Sequence, residues 1–287
     1  MKYASLADRA ALWKLKVSKL TVYKRDKKAT QMVADANEGR KVGNFNKKLF
    51  DGCGPVEKTL DAYGAVYAHW FNNTAPYMDY EGERLIRSDK LIDCMREFGV
   101  LKAEAERQLS NLIPAWQGCI AWDLNRLKHL GNPADYPDSP EQFFSIYSQM
   151  RPVPSATDFR FDIPEEEKAA LAQAEQDAAA QAQKYALETL MVPMQAFIRR
   201  ASEYTGEKGQ RWHDIIVTNI KDVAEAAKGL NIMGDPNIDA LIADLEALWL
   251  PISFAPSVVK ESVAHRDQAR DELDAIMKRM AAYAGGL

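Results

Sequence analysis

The chain is poor in the residues that make cross-links and metal sites. Only Cys53, Cys94 and Cys119 are present among 287 residues; they lie far apart and none forms a C-x-x-C. That excludes a disulfide scaffold and fits reduced thiols in a cytosol-like compartment. The four histidines (His69, His129, His213, His265) form no H-E-x-x-H, no E-x-x-H and no Cys/His pair. Zinc and di-iron sites therefore lack a ligand set, and no metal or cofactor is expected. There is no G-x-x-x-x-G-K-[ST], no G-x-G-x-x-G and no G-x-S-x-G, so phosphate loops and a serine elbow are missing too. Gly52-Cys53-Gly54-Pro55 reads as the turn before a helix. Fifteen glycines are too few for a collagen-like chain.

Long apolar runs are equally scarce. Lys14, Lys16 and Lys19 interrupt the only signal-like stretch near the N-terminus, and Asp239, Asp244, Glu246 and Pro251 break the apolar-leaning segment 238–254. No signal-peptide core and no transmembrane helix is expected. The expected location is the cytoplasm of a bacterium or of an infected host cell. What the chain does have is 47% apolar residues, enough to bury a core.

Periodicity points to a mainly α fold with a small two-stranded antiparallel sheet and a C-terminal helical bundle or coiled-coil-like hairpin. Trp13 to Ser18 alternates apolar and polar residues, and β-branched composition continues to Tyr23, which reads as a strand. Asp158–Ile163 alternates likewise, so the two segments are expected to pair, since a lone strand leaves its backbone groups unsatisfied. Between them helices are expected over about 55–71, over 88–130 with a kink or restart at Pro114, and behind Ser139-Pro140, where a Ser cap and a first-turn proline introduce Phe143, Ile146, Tyr147 and Met150. After Pro164 an Ala-rich helix with a thin apolar face (Leu171, Ala174, Ala178, Tyr185) continues past Pro193, followed by helices near 209–230, 236–250 and 257–284. The expected domains are 1–164, a basic strand segment with helices closed by strand 158–163, and 165–287, an Ala-rich hairpin or bundle.

Charge is the most informative feature. Residues 1–50 carry 13 Lys and Arg against four Asp and Glu, a surplus of nine positive charges, while the rest of the chain carries a surplus of 13 negative ones. The candidate binding residues are Lys14, Lys16, Lys19, Tyr23, Lys24, Arg25, Lys27, Lys28, Arg40, Lys41, Lys47 and Lys48. Trp13, Tyr23, Phe45 and Phe50 lie among them. Cations mixed with aromatics suit a nucleic-acid backbone with stacked bases. The same cations would equally suit the acidic remainder of the molecule or of a neighbouring copy.

Several short motifs carry a resemblance. The basic strand segment from Val17 to Lys28, then Thr74-Ala75-Pro76-Tyr77, Leu130-Gly131-Asn132, Asp135-Tyr136-Pro137, and Pro152-Val153-Pro154 leading into Asp158-Phe159-Arg160-Phe161, together resemble a family of uncharacterised phage and bacterial proteins. The resemblance spans roughly residues 10–165. That family is a domain of unknown function, sometimes encoded beside MoxR-type AAA+ ATPases. The resemblance implies a phage-type accessory protein working with such an ATPase or on DNA, and brings no catalytic residues with it.

The reading from sequence is a non-catalytic, self-associating helical scaffold, a homo-oligomer that docks an acidic partner or protomer through its basic segment. The alternative is a single-stranded nucleic-acid-binding protein acting through residues 13–48. An enzyme would need groups that converge only in three dimensions, for instance His213, Asp214, Asp79 and Glu83.

Overall fold

The computed structural model describes residues 5–40, 43–77, 82–155, 164–205, 210–249 and 254–285. The chain is mainly α with a small antiparallel ribbon, a larger four-stranded sheet and C-terminal helices. It divides into two compact units, each made of separated chain segments.

The first unit comprises Met1–Lys14, Phe71–Asp93 and Gln149–Leu287. It opens with helix α1 (Leu6–Arg9), whose Ser5 and Asp8 make a reciprocal capping box, and runs straight into strand β1 (Ala10–Ser18). In β1 the expected alternation holds from Trp13 to Lys16, with Trp13 and Leu15 buried, Lys14 half-buried and Lys16 exposed, while Ala10 and Leu12 on the opposite face meet a core of their own. Its antiparallel partner is β5 (Glu83–Arg87), in register from Ala10 opposite Arg87 to Lys14 opposite Glu83. β4 (Ala75–Pro76) borders β5, and β6 (Ser145–Pro152) is the neighbour on the other side of β1, giving the order β4-β5-β1-β6.

These strands correct two expectations, and a third falls on residues outside those described. The partners described for β1 are β5 and β6; the expected partner 158–163 lies outside the described residues. The strand ends at Ser18 instead of continuing to Tyr23. The helix expected behind Ser139-Pro140 is only a 3₁₀ turn, Pro140–Gln142, after which β6 begins. In β6, Ile146, Ser148 and Met150 are the half-buried positions, a period of two that polar Ser148 hides in the sequence.

Helix α5 (Glu165–Glu203) runs without interruption through Pro193. Its N-terminal half presents Ala178, Ala182 and Ala186, one stripe at four-residue spacing, to Ala10, Leu12, Ala75 and Leu85 of the strands. Methyl side chains allow the helix to lie close on the sheet. Its C-terminal half switches to Leu187, Leu190, Met194, Phe197 and Ala201, spaced three and four apart, and packs with α6 (Ile215–Leu230), α7 (Pro236–Trp249) and α9 (Val263–Ala284). The last expected helix is broken: α8 (Pro256–Glu261) stops at Ser262, whose hydroxyl caps α9 by accepting from the His265 N–H. Asn231, fully buried, closes the α6–α7 turn, donating to the Asp235 carbonyl and Asp239 Oδ1 and accepting from the Asp235 N–H.

The second unit comprises Leu15–Trp70 and Cys94–Ser148. Two of its helices are α3 (Gly54–Asn72) and α4 (Leu91–Leu127), the latter passing Pro114 without a restart. α3 buries Val56, Thr59, Tyr63, Val66 and Trp70 at spacings of three and four, and α4 buries Phe98, Ala105, Leu112 and Trp116. Thr59 Oγ1 donates to the Gln108 carbonyl (3.3 Å) while His69 meets Cys94, so the two helices run antiparallel. Between β1 and α3 the chain forms an arm: β2 (Tyr23–Arg25), helix α2 (Lys27–Ala36) and β3 (Asn46–Lys48). β2 and β3 pair antiparallel and are the two-stranded sheet of the molecule.

Candidate functional site

The arm is held by an acid that sequence position alone does not reveal. Asp123 on α4 is fully buried and accepts three donors: the Phe50 N–H (2.8 Å), the Tyr136 hydroxyl (2.8 Å) and Arg126 Nε (2.8 Å). Arg126 reaches on to the Lys48 carbonyl (2.6 Å). Burial, reinforced by the bond to Asp123, pushes the Tyr136 hydroxyl well above its ordinary ionisation range. Phe50 sits in the left-handed region (φ +56°), costly for a bulky residue, and its N–H bond to Asp123 helps to hold it there. Its ring packs on Trp116 and Tyr136, with centroids 5.0 and 5.3 Å away.

The ribbon register then sorts the cations. Tyr23 lies opposite Lys48, Lys24 opposite Lys47, and Arg25 opposite Asn46. Directly opposed residues share a face, so Lys24 and Lys47 point one way and Tyr23, Arg25, Asn46 and Lys48 the other. Lys47 is engaged by the unit's own structure: Nζ is 2.8 Å from Asp135 Oδ2 and donates to the Leu130 carbonyl. Lys48 pairs with Asp51 in the open; the pair raises the lysine pKa and lowers that of the acid.

Asp26 ends the ribbon and begins α2. Its N–H donates to the Phe45 carbonyl (2.7 Å), and its carboxylate caps the helix by accepting from the Ala29 N–H (2.9 Å). Lys27 and Lys28 follow in the first helical turn, where the helix dipole disfavours cations. α2 buries none of its residues.

The candidate residues now have positions. Tyr23, Lys24, Arg25, Lys27 and Lys28 come together along β2 and the first turn of α2, all exposed. Lys16 and Lys19 are exposed on and just beyond β1, and Arg40 is exposed past the opposite end of α2 from Lys27, about 15 Å along a ten-residue helix. Lys14 falls in the first unit and Lys41 lies outside the described residues. Among the described residues Lys16, Lys19, Lys24, Arg25, Lys27, Lys28 and Arg40 enter no ion pair, whereas Lys47 and Lys48 do.

A cleft of about 430 Å³ opens beside the ribbon, lined by Tyr23, Lys24, Phe50, Asp135, Tyr136 and Phe143 among others. Nothing in the sequence marks Asp123, Asp135, Tyr136 and Phe143 as parts of this region. Only the Asp135-Tyr136-Pro137 motif drew attention to any of them, and nothing in its spacing links it to residues 23–50.

Other candidate chemistry looks different in three dimensions. The sequence shows no Cys/His pair, yet Cys94 Sγ lies 3.2 Å from His69 Nε2, and His69 Nδ1 is 3.7 Å from Glu97. Antiparallel α3 and α4 create that proximity. Burial, with a contribution from the Glu97 charge, pushes the Cys94 thiol up to about 11, the reverse of what activates a nucleophile. His213 and Asp214 are exposed, Glu83 is ion-paired with Arg151, and Asp79 lies outside the described residues. No group of three or more His, Cys, Asp and Glu that would hold a metal occurs among the described residues, and none of their helices is long and apolar enough to cross a membrane.

No protein-family model, no curated protein and no solved structure matches the chain.

Proposed function

We propose that this chain is a non-catalytic single-stranded nucleic-acid-binding protein that holds its ligand on the basic arm between β1 and α3. One observation carries the reading: seven exposed cations of residues 16–40 enter no ion pair among the described residues, and five candidate residues are gathered on one ribbon and helix turn. Two lysines set against a helix dipole are a local conflict, and such conflicts concentrate at functional surfaces. Exposed Tyr23 and Phe45 add π-faces beside the charges. In the phage-type accessory role that the resemblance implies, such a protein works in the cytoplasm on DNA, with or without an AAA+ ATPase.

The small-residue stripe of α5, suited to helix association between copies, is covered by strands of its own unit. The charge asymmetry still favours a second reading, in which the arm docks the acidic surface of another copy or of a partner.

Fluorescence anisotropy with a labelled single-stranded oligonucleotide at low salt separates the two. Binding by the wild type, abolished in K24E/R25E/K27E/K28E without loss of thermal stability, supports the proposal. No binding by the wild type, together with an assembly in light scattering that the same variant dissolves, supports the second reading and overturns the first.

A further inference from the structure

We infer that the bound strand lies across the outer face of the β2–β3 ribbon, with one unpaired base stacked on Tyr23 and the adjoining phosphate held by Arg25. The inference deepens the nucleic-acid reading and rests on it. The ribbon register puts Tyr23, Arg25, Asn46 and Lys48 on one face and Lys24 and Lys47 on the other. Lys47 fixes which face turns inward: its side chain is only 9% exposed, and its ammonium is bonded to Asp135 and to the Leu130 carbonyl. On the other face Tyr23, Arg25, Asn46 and Lys48 are all exposed, Tyr23 at 63%.

The chemistry of the outer face suits a nucleotide, whose flat base is joined to an anion. Arg25 enters no ion pair among the described residues, and the residue across the ribbon from it is the uncharged Asn46. Lys48 is already matched by Asp51, so Arg25 is the cation this face has to offer. The acid next to Arg25 in the chain is withdrawn: Asp26 is 5% exposed, and its carboxylate caps α2. Two residues along a strand span about 7 Å, which brings the Tyr23 ring and the Arg25 guanidinium within reach of one nucleotide's base and phosphate. A base inside a duplex has both faces covered by its neighbours, so a tyrosine platform selects single strands. Each base stacked on an aromatic side chain strengthens binding by about fivefold or more, with little dependence on sequence.

The test uses the full chain and two probes, a strand of thymidylates and an abasic sugar–phosphate strand of equal length, with binding read by fluorescence anisotropy. The wild type is expected to bind the thymidylate strand about tenfold more tightly than the abasic strand. In Y23A that ratio falls towards one while abasic binding stays unchanged, and Y23F keeps the wild-type ratio. R25A weakens binding of both probes and makes the salt slope shallower by about 0.7. K24A, on the opposite face, leaves the ratio unchanged and alters the slope clearly less than R25A does. Unfolding curves of the variants confirm that they fold. A wild type that binds intact and abasic strands equally, a ratio untouched in Y23A, or equal losses in K24A and R25A overturns the face assignment and leaves the basic arm standing. Failure of the wild type to bind either probe at low salt overturns the arm reading itself.

Discussion

Lys24 and Lys47 stand directly opposite each other across the β2–β3 ribbon, and the acid Asp135 is bonded to Lys47 at 2.8 Å. Two like charges in that position repel, so the pairing is tolerable because one of them is neutralised. Of this opposed pair, Lys47 anchors the arm and Lys24 is left facing water.

That division is measurable. Asp135→Ala leaves a largely buried ammonium without its carboxylate and is expected to cost about 2–4 kcal/mol in urea unfolding. Lys24→Glu replaces an exposed charge and is expected to change stability by about 0.5 kcal/mol or less. Equal effects of the two substitutions would contradict the assignment.

Asp123 serves three donors with one fully buried carboxylate. Asp123→Ala strands all three, and a loss of about 3 kcal/mol or more is expected from equilibrium denaturation. Limited proteolysis at low denaturant should cut the variant first between residues 20 and 50, because Asp123 holds the Phe50 end of the arm. Cleavage unchanged from the wild type would count against that role.

The alanine stripe of α5 gives an opposite kind of prediction. Ala182→Leu forces extra volume between helix and sheet and should destabilise by about 1–3 kcal/mol, with the molar mass in light scattering unchanged. A change in assembly without a change in stability would instead mark the stripe as a face between copies.

The buried thiols set a pH dependence. Burial raises Cys94 to about 11, and burial with a hydrogen bond donated to Cys53 raises Cys119 to about 12, from an ordinary value of 9.0. The unfolded chain therefore ionises these thiols before the folded one does. Their contribution is complete below pH 9 and is lost as pH rises through 11 to 12, by about 2–3 kcal/mol for Cys94 alone. Urea midpoints at pH 7 and pH 10.5 should show the fall, and iodoacetamide at pH 8 should label Cys94 and Cys119 in the denatured chain only. Rapid labelling of these two in the native chain would contradict their burial.

The sequence made much of this readable where a signal is local. α3 was legible from Val56, Tyr63 and Trp70 at helical spacing, and β1 from its alternation, because each buries one continuous face. β5 was not, since five residues with charges at both ends and Leu85-Ile86 adjacent show neither period. In 143–150 the apolar residues fit a helix, but backbone pairing decided for a strand. The cations of the arm were visible as a charge surplus, whereas their sorting was not. It depends on Asp135 and Asp123, more than 70 residues away and brought in by tertiary packing.

The most direct measurement of the central claim is the salt dependence of single-stranded DNA binding by the wild type and by a variant with Lys24, Arg25, Lys27 and Lys28 replaced by alanine. Each cation that neutralises a phosphate contributes about 0.7 to the slope of log affinity against log salt. A steep negative slope is expected for the wild type and one shallower by about 2–3 in the variant, with unfolding stability retained. A wild type that binds no single strand at low salt, or a slope untouched by removing the four cations, would contradict it.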